Sequence, residues 1–268
     1  GTESDFAEGA FLQTVLPTLG VGRELTFGMD SRANVGLGRY AFAPSAHMTE
    51  SHALNTKESS RMLLAQWGYH WNLSRPVLLE KTPTDMLTSR LLQALLTPAA
   101  TSFIFVTRHP LAVALAHRRW ACCVSMSVGS LALHWLVSHR VLAADVPRLR
   151  AARVLRFEDL VRSPTACLRR VHRWLGLPKA GSGGGGAVVA RSVAPNTNRK
   201  YEETYCSRML ATAVGRRTHC SMAAALQPEV HKLRLGYDLA EGGALGFDCV
   251  RHRLVGGAGR LDNRSDAR

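Results

Sequence analysis

Two basic residues occupy positions at which the protein could bind an anion. Lys81 and Arg108 each follow a short apolar run, and in both cases a proline comes two residues later. Because proline is favoured in the first turn of a helix, each cation is expected to lie beside a helix N-terminus. The backbone N–H groups of that terminus carry partial positive charge, so a phosphate or a similar anion would suit either position. An ion pair of these cations with Glu80 or Glu158 is the alternative.

The elements that must position these cations alternate between strand and helix. Residues 76–80, 102–106 and 152–157 are short apolar runs with strand character, and a helical pattern follows each one. The second run predicts a fully buried strand. The order indicates an α/β fold with a parallel sheet and right-handed crossovers. Since ligands of such sheets bind outside the carboxyl ends of the strands, the residues that follow the three runs are the candidate site.

Apolar residues at helical spacing predict five helices around this sheet. Thr82 is expected to cap the helix after the first run, with Pro83 at its first position. The predicted spans are 58–71, 83–95, 110–120, 128–142 and 164–175.

The domain organisation follows from length and composition. With 268 residues the chain is long enough for one large α/β domain, to which we assign residues 1–250. The glycine-rich residues 181–186 predict a flexible loop, and residues 251–268 predict a disordered C-terminal tail. No apolar run reaches the roughly 18 residues that a membrane span requires, so an anchor is expected only upstream of this sequence.

The charge and the cysteines narrow the classes of partner. A net charge of +14 and a pI of about 10.3 favour anionic partners, including acidic polysaccharide. Specific nucleic-acid binding is not expected, because no Lys/Arg-rich tract contains interleaved aromatic residues.

No metal site is expected, because the cysteines form no C-x-x-C pair and lack zinc spacing. Cys206 and Cys220 are a candidate disulfide, and Asn72 and Asn263 begin glycosylation acceptor sequences. These features favour the Golgi lumen or secretory pathway, with the cytoplasm as the alternative.

Three segments resemble motifs of the PAPS-dependent sulfotransferases and occur in the order of that family. Residues 103–116 resemble the strand, arginine, proline and helix that bind the 3′-phosphate. Residues 79–83 are similar to the E-K-[ST]-P element of the carbohydrate enzymes, and residues 154–160 to the R-[YF]-E-D-L block. Residues 5–17 and 42–50 also resemble a bacterial and algal sulfotransferase-like branch. The resemblance implies a P-loop-NTPase-like parallel sheet flanked by helices. It further implies transfer of a sulfuryl group from PAPS (3′-phosphoadenylyl sulfate) to a hydroxyl or amine of a carbohydrate or other secreted acceptor.

The resemblance implies a catalytic role for two residues. Lys81 would lie near the transferred sulfuryl group and stabilise charge on the bridging oxygen. Glu8, which precedes an apolar stretch, would be the base that takes the proton of the acceptor. His47 and Glu50 are the reserve candidates for that base.

The resemblance also implies a binding site for the cofactor. Arg108 would bind the 3′-phosphate, because the guanidinium fork matches a phosphate. Arg199 and Lys200 fall in a C-terminal basic segment that would close over the same phosphate. Ala116 stands where the family usually has a serine that donates to this phosphate, and the candidate replacements are His117 and Ser125.

One motif of the family is missing from the sequence. The first strand and its phosphate loop, with an S-G-T core, would bind the 5′-phosphosulfate, and no residues here match them. We therefore expect the sequence to begin after that loop. A non-catalytic sulfotransferase-like protein that binds anionic glycans is the alternative function, and a basic nucleic-acid-binding protein is a third.

Overall fold

Helices flank a small parallel sheet in the computed structural model, which describes residues 8–17, 39–120, 123–177 and 198–239. Short 3₁₀ turns connect several of these elements. In chain order the helices and strands are α1 (Lys57–His70), α2 (Ser89–Leu96), β1 (Phe103–Thr107), α3 (Pro110–His117), α4 (Val128–Asp145), β2 (Ala152–Arg156), α5 (Phe157–Arg162), α6 (Pro164–Trp174), α7 (Arg199–Thr204) and α8 (Ala213–Lys232).

The sheet consists of β1 and β2, which pair in parallel. Phe103 lies opposite Ala152, and Thr107 lies opposite Arg156. Both strands therefore end at the same edge, where Arg108 follows β1 and α5 follows β2. The α/β class and two of the three predicted strands are confirmed.

The predicted strand at residues 76–80 is wrong. A strand requires a hydrogen-bonded neighbour, and among the described residues none lies beside this segment. The segment is irregular and is held by other contacts. The indole N–H of Trp71 donates to the carbonyl of Leu79 at 3.1 Å, and the backbone N–H of Gly9 donates to the Glu80 carboxylate at 2.9 Å.

The prediction of a fully buried strand at residues 102–106 is also wrong. Only alternate residues of β1 are buried, namely Phe105 and Thr107, whereas Val106 is 54% exposed. This alternation is typical of a strand with only one covered face. Within the described residues, the helices cover one side of β1.

The helix predicted after residue 82 is interrupted. Residues Pro83–Met86 form a 3₁₀ turn, and α2 begins only at Ser89. The Thr82 hydroxyl does not cap this turn, because it accepts from the backbone N–H of Ala10 and donates to Glu80. The apolar face of this region is nevertheless buried.

The remaining predicted helices are confirmed, with shifted ends. The Thr56 and Ser127 hydroxyls cap α1 and α4 by accepting backbone N–H groups three residues later. Helix α3 ends at His117 rather than at Trp120. After α6, Gly176 takes a φ of 66°, a left-handed conformation that favours glycine.

Two of the apolar clusters pack the helices together. The first joins α1, α2 and residues 12–16, whereas the second joins α3, α4, α7 and α8. Each buried large side chain contributes about 1.5–3 kcal/mol relative to exposure. Central members are Leu63, Trp67, Leu91, Leu92 and Leu95 in the first cluster, and Leu111, Leu131, Trp135, Tyr205 and Tyr237 in the second.

The remaining sequence predictions concern a disulfide, a loop, the C-terminal tail, the domain bounds and membrane spans. The predicted disulfide between Cys206 and Cys220 is wrong, because Cys220 is disulfide-bonded but Cys206 is not its partner. The glycine-rich loop and the C-terminal tail lie outside the described residues. The single domain of residues 1–250 stays a prediction. In the part of the chain that the structure describes, no helix combines the length and apolarity of a membrane span.

Candidate active site

The Glu8–Lys81 pair brings together the two residues predicted to be catalytic. The Lys81 ammonium donates to a Glu8 carboxylate oxygen, although 73 residues separate them in the chain. The Lys81 side chain is 69% exposed and that of Glu8 is 31% exposed. A carboxylate and an ammonium in contact at an accessible position can exchange a proton with an acceptor and stabilise a developing negative charge.

Backbone hydrogen bonds dock the Glu8 segment onto the Lys81 segment. The N–H of Gly9 donates to Glu80 Oε1 at 2.9 Å, and the N–H of Ala10 donates to the Thr82 hydroxyl at 3.0 Å. The buried indole N–H of Trp67 on α1 also donates to the Gly9 carbonyl, at 2.9 Å. The contact between Glu8 and Lys81 is therefore set by their neighbours and does not rest on the ion pair alone.

A groove opens beside this pair. Its walls are the last turn of α1 and the irregular segment that leads to Glu80, and its volume is about 440 Å³. Aromatic, cationic and aliphatic side chains line it. They include Trp67, His70, Trp71, Arg75 and Leu79.

The Arg108 cluster forms at the carboxyl edge of the sheet. The Arg108 Nε–H donates to Asn198 Oδ1 at 2.7 Å. Its guanidinium carbon lies 4.5 Å from the centre of the Phe157 ring and 5.1 Å from that of Tyr201, so cation–π contacts also orient it. Burial lowers the pKa of Arg108, and nearby Tyr201 and Glu158 oppose this effect. A half-buried cation of this kind is stabilised by a bound anion.

Glu158 anchors the Arg108 cluster. Its carboxylate accepts from the N–H of His109 at 2.9 Å, the amide of Asn198 at 2.9 Å and the hydroxyl of Tyr237 at 3.1 Å. Burial would raise the pKa of Glu158, but these hydrogen bonds lower it below its usual value. Asn198 links Glu158 to Arg108, because its amide oxygen accepts from Arg108 and its amide nitrogen donates to the Glu158 carboxylate. The sequence did not predict roles for Asn198, Tyr201 or Tyr237.

Lys200 joins the Arg108 cluster through an aromatic ring. Its ammonium lies 5.0 Å from the centre of the Tyr201 ring, which Arg108 also contacts. Arg199 is the first residue of α7, next to Asn198 and Lys200 in the chain. The structure thus brings together Arg108 and Lys200, two of the three predicted cofactor-binding residues.

The reserve candidates lie in a separate ion network. His47 Nε2 is 2.8 Å from the buried carboxylate of Asp145. Glu50 forms an ion pair with Arg90, which also contacts Asp145 at 3.4 Å. The network joins the turn before α1 to α2 and α4, which indicates a structural role for His47 and Glu50.

Residue 116, where the family usually has a serine, lies in apolar surroundings. Ala116 packs against the second apolar cluster. Burial lowers the pKa of the neighbouring His117, whose ring meets those of Trp120 and His134 edge-on. Ser125 is exposed in the turn before α4.

Comparison with known proteins identifies the family of this chain. The family model described as "Sulfotransferase family" matches residues 22–181, which include Lys81, Arg108 and Glu158. Neither a curated protein nor a solved structure matches the chain. No group of metal-binding side chains was found among the described residues. Because the family model covers more than half of the sequence, this chain belongs to the sulfotransferase family.

Proposed function

We propose that this protein transfers a sulfuryl group from PAPS to a hydroxyl or amine of a carbohydrate or other secreted acceptor. Membership of the family supports sulfuryl transfer in general. The observation that carries the finer proposal is the half-buried guanidinium of Arg108 at the carboxyl edge of the parallel sheet. An anionic cofactor would bind at this edge, as ligands of open parallel sheets do.

The Arg108 cluster would hold the 3′-phosphate. Phe157, Tyr201 and Asn198 restrict the Arg108 side chain before any ligand binds, so little of its conformational freedom remains to be lost. Lys200 would add a second positive charge from α7. A phosphate at this position would meet one oriented guanidinium and one flexible ammonium, a combination common in phosphate recognition.

The Glu8–Lys81 pair would carry the transfer step. PAPS supplies the sulfuryl group and leaves as PAP, its desulfonated product. A bond forms between the acceptor oxygen or nitrogen and sulfur as the bond from sulfur to the bridging oxygen breaks. Glu8 would take the proton that the acceptor loses, and Lys81 would stabilise the negative charge on the bridging oxygen. Its exposed position leaves Lys81 able to turn from Glu8 towards that charge.

The acceptor would enter through the groove beside this pair. Gly9 and Glu80 line the groove and also flank Glu8 and Lys81 in the chain, so a ligand there would lie next to the proposed base. The indole of Trp71 and the guanidinium of Arg75 suit a sugar ring that carries an acidic group. The proposal includes a Golgi or secretory location, with the cytoplasm as the alternative. The exposed Asn72 of the Asn-Leu-Ser sequence supports the former.

Calorimetric titration with PAP tests the proposal. Arg108→Ala should weaken PAP binding about 10- to 100-fold, as loss of a charge-assisted contact of about 1.5–3 kcal/mol requires. Arg61→Ala is the matched control, because Arg61 is exposed on α1 and forms an ion pair with Glu58 on the same helix. Equal affinities of the wild type and Arg108→Ala would contradict the role of Arg108. Binding of heparin without binding of PAP by the wild type would support the alternative, a non-catalytic glycan-binding protein.

A further inference from the structure

We infer that Glu80 is a positioning residue, which holds the Glu8 segment against Lys81 through a contact that only glycine at residue 9 permits. This inference rests on the proposed function of the Glu8–Lys81 pair. Glu80 contacts no proposed reacting atom, so it would act on the reaction only through the location of Glu8.

The approach between Gly9 and Glu80 is unusually close. A Cβ atom at residue 9 would lie 2.4 Å from Glu80 Cγ, 2.4 Å from Oε1 and 2.7 Å from Cδ. These distances are far inside van der Waals contact, so a side chain at residue 9 would force the Glu80 side chain to turn away. The turned carboxylate would lose the hydrogen bond from the Gly9 N–H. Glycine permits this contact because it has no Cβ atom.

The same carboxylate receives two donors that define the location of residue 8. The Gly9 N–H donates to Oε1 at 2.9 Å, and the Thr82 hydroxyl donates to the same oxygen. Thr82 in turn accepts the N–H of Ala10 at 3.0 Å. Glu80 and Thr82 therefore hold two successive backbone N–H groups, and the side chain of Glu8 directly precedes them. Lys81 lies between Glu80 and Thr82, so the same bonds locate both members of the pair.

Asp85 supports Glu80 in this role. Burial, together with a hydrogen bond to the nearby Glu80 carboxyl and the charges of Glu80 and Glu8, raises the pKa of Asp85 well above its usual value. This shift favours the neutral form of the Asp85 carboxyl, which can donate a hydrogen bond to Glu80. Such a hydrogen bond would hold the Glu80 carboxylate where it accepts the Gly9 N–H.

Two glycine-to-alanine variants test the inference with matched chemistry. Gly9→Ala should lower kcat about 10- to 100-fold, because a displacement of about 1 Å in a catalytic group has this effect. The KM for PAPS should change little, because Arg108 lies in a separate cluster. Gly68→Ala is the control: residue 68 is on α1, and a Cβ there meets nothing within 4 Å. This variant should keep the wild-type kcat.

Variants of Glu80 keep the test decisive if Gly9→Ala does not fold. Glu80→Ala removes the acceptor, whereas Glu80→Gln retains an amide oxygen that can accept from Gly9. We expect Glu80→Ala to lower kcat and to speed hydrogen exchange of the Gly9 and Ala10 amides. In Glu80→Gln, kcat and the rate of amide exchange should both lie close to the wild-type values. An unaltered kcat in Gly9→Ala, or unaltered amide exchange in Glu80→Ala, would overturn the inference. Absence of PAPS-dependent turnover in the full-length wild type would refute the proposed function instead, and the amide exchange would still test the role of Glu80.

Discussion

His134 and His139 lie on the buried side of α4 and are poorly placed to accept a proton. His134 is 3% exposed, and its Nε2 has no hydrogen-bond partner among the described residues. The Tyr40 ring meets it edge-on at 4.4 Å between ring centres. His139 is stacked on Trp135 at 3.7 Å, and its Nδ1–H donates to the Trp135 carbonyl at 2.7 Å. A positive charge on either imidazole would be largely cut off from water.

These surroundings make the free energy of unfolding depend on pH. Burial lowers the pKa of His134 to about 3, with smaller contributions from His117 and His139, and lowers that of His139 to about 4. The same side chains bind a proton near pH 6.5 in the unfolded chain. Below that pH the unfolded state holds more protons, so the free energy of unfolding falls as the pH falls towards the folded-state values. Each histidine lowers the free energy of unfolding by about 1.36 kcal/mol per pH unit in this window, or by about 2 kcal/mol between pH 7 and pH 5.

Urea unfolding at pH 7, 6 and 5 measures this effect. The variants His134→Leu and His139→Leu should each reduce the loss of free energy between pH 7 and pH 5 by about 2 kcal/mol, and the double variant by about 4 kcal/mol. A residual loss should remain, because burial also lowers the pKa of His109 and His117. His70→Leu is the control, since it removes an exposed imidazole. If the double variant and the wild type lost the same free energy over this range, the reasoning would be refuted.

Two further predictions concern the site and the location of the protein. Lys81→Ala should lower turnover more than affinity for PAPS, because we propose that its charge acts on the bridging oxygen during transfer; steady-state kinetics that showed the reverse would make Lys81 only a binding contact. Asn72→Gln should reduce an endoglycosidase-sensitive shift in electrophoretic mobility of protein produced through a secretory pathway, and Asn72→Gln combined with Asn263→Gln should abolish it. If the wild type showed no such shift, the glycosylation of Asn72 would be excluded.

The sequence predicted those elements whose signals are local. The apolar spacing of residues 58–71 and 128–142 corresponds to α1 and α4, because a helix buries one face and its hydrogen bonds stay within the segment. Arg108 was found for the same reason, since a strand, a cation and a proline in succession define the exit of β1. Residues 76–80 carry a similar, less purely apolar local pattern. They do not form a strand, because pairing depends on a neighbour that the pattern does not contain.

The partners of the site residues could not be predicted, because they come from distant parts of the chain. Asn198 is 90 residues from Arg108, and Tyr237 is 79 residues from Glu158. Neither residue belongs to a periodic pattern, and an asparagine or a tyrosine at a segment end has many ordinary explanations. The contact between Gly9 and Glu80 is equally remote, and glycine has no side chain whose type could indicate it. These contacts follow from tertiary packing and become visible only in three dimensions.

Lys81 and Arg108 occupy opposite environments, and this difference fits the two roles that we propose for them. Lys81 forms an ion pair at an accessible position, where such pairs contribute about 0.2–1 kcal/mol. A substrate charge can therefore displace Glu8 at little cost, as a transient role in charge stabilisation requires. Arg108 is half buried, hydrogen-bonded at 2.7 Å and held by two aromatic rings. Reorienting the Arg108 side chain would break all these contacts, so it suits a fixed binding site, whereas the exposed Lys81 suits the transfer step that we propose.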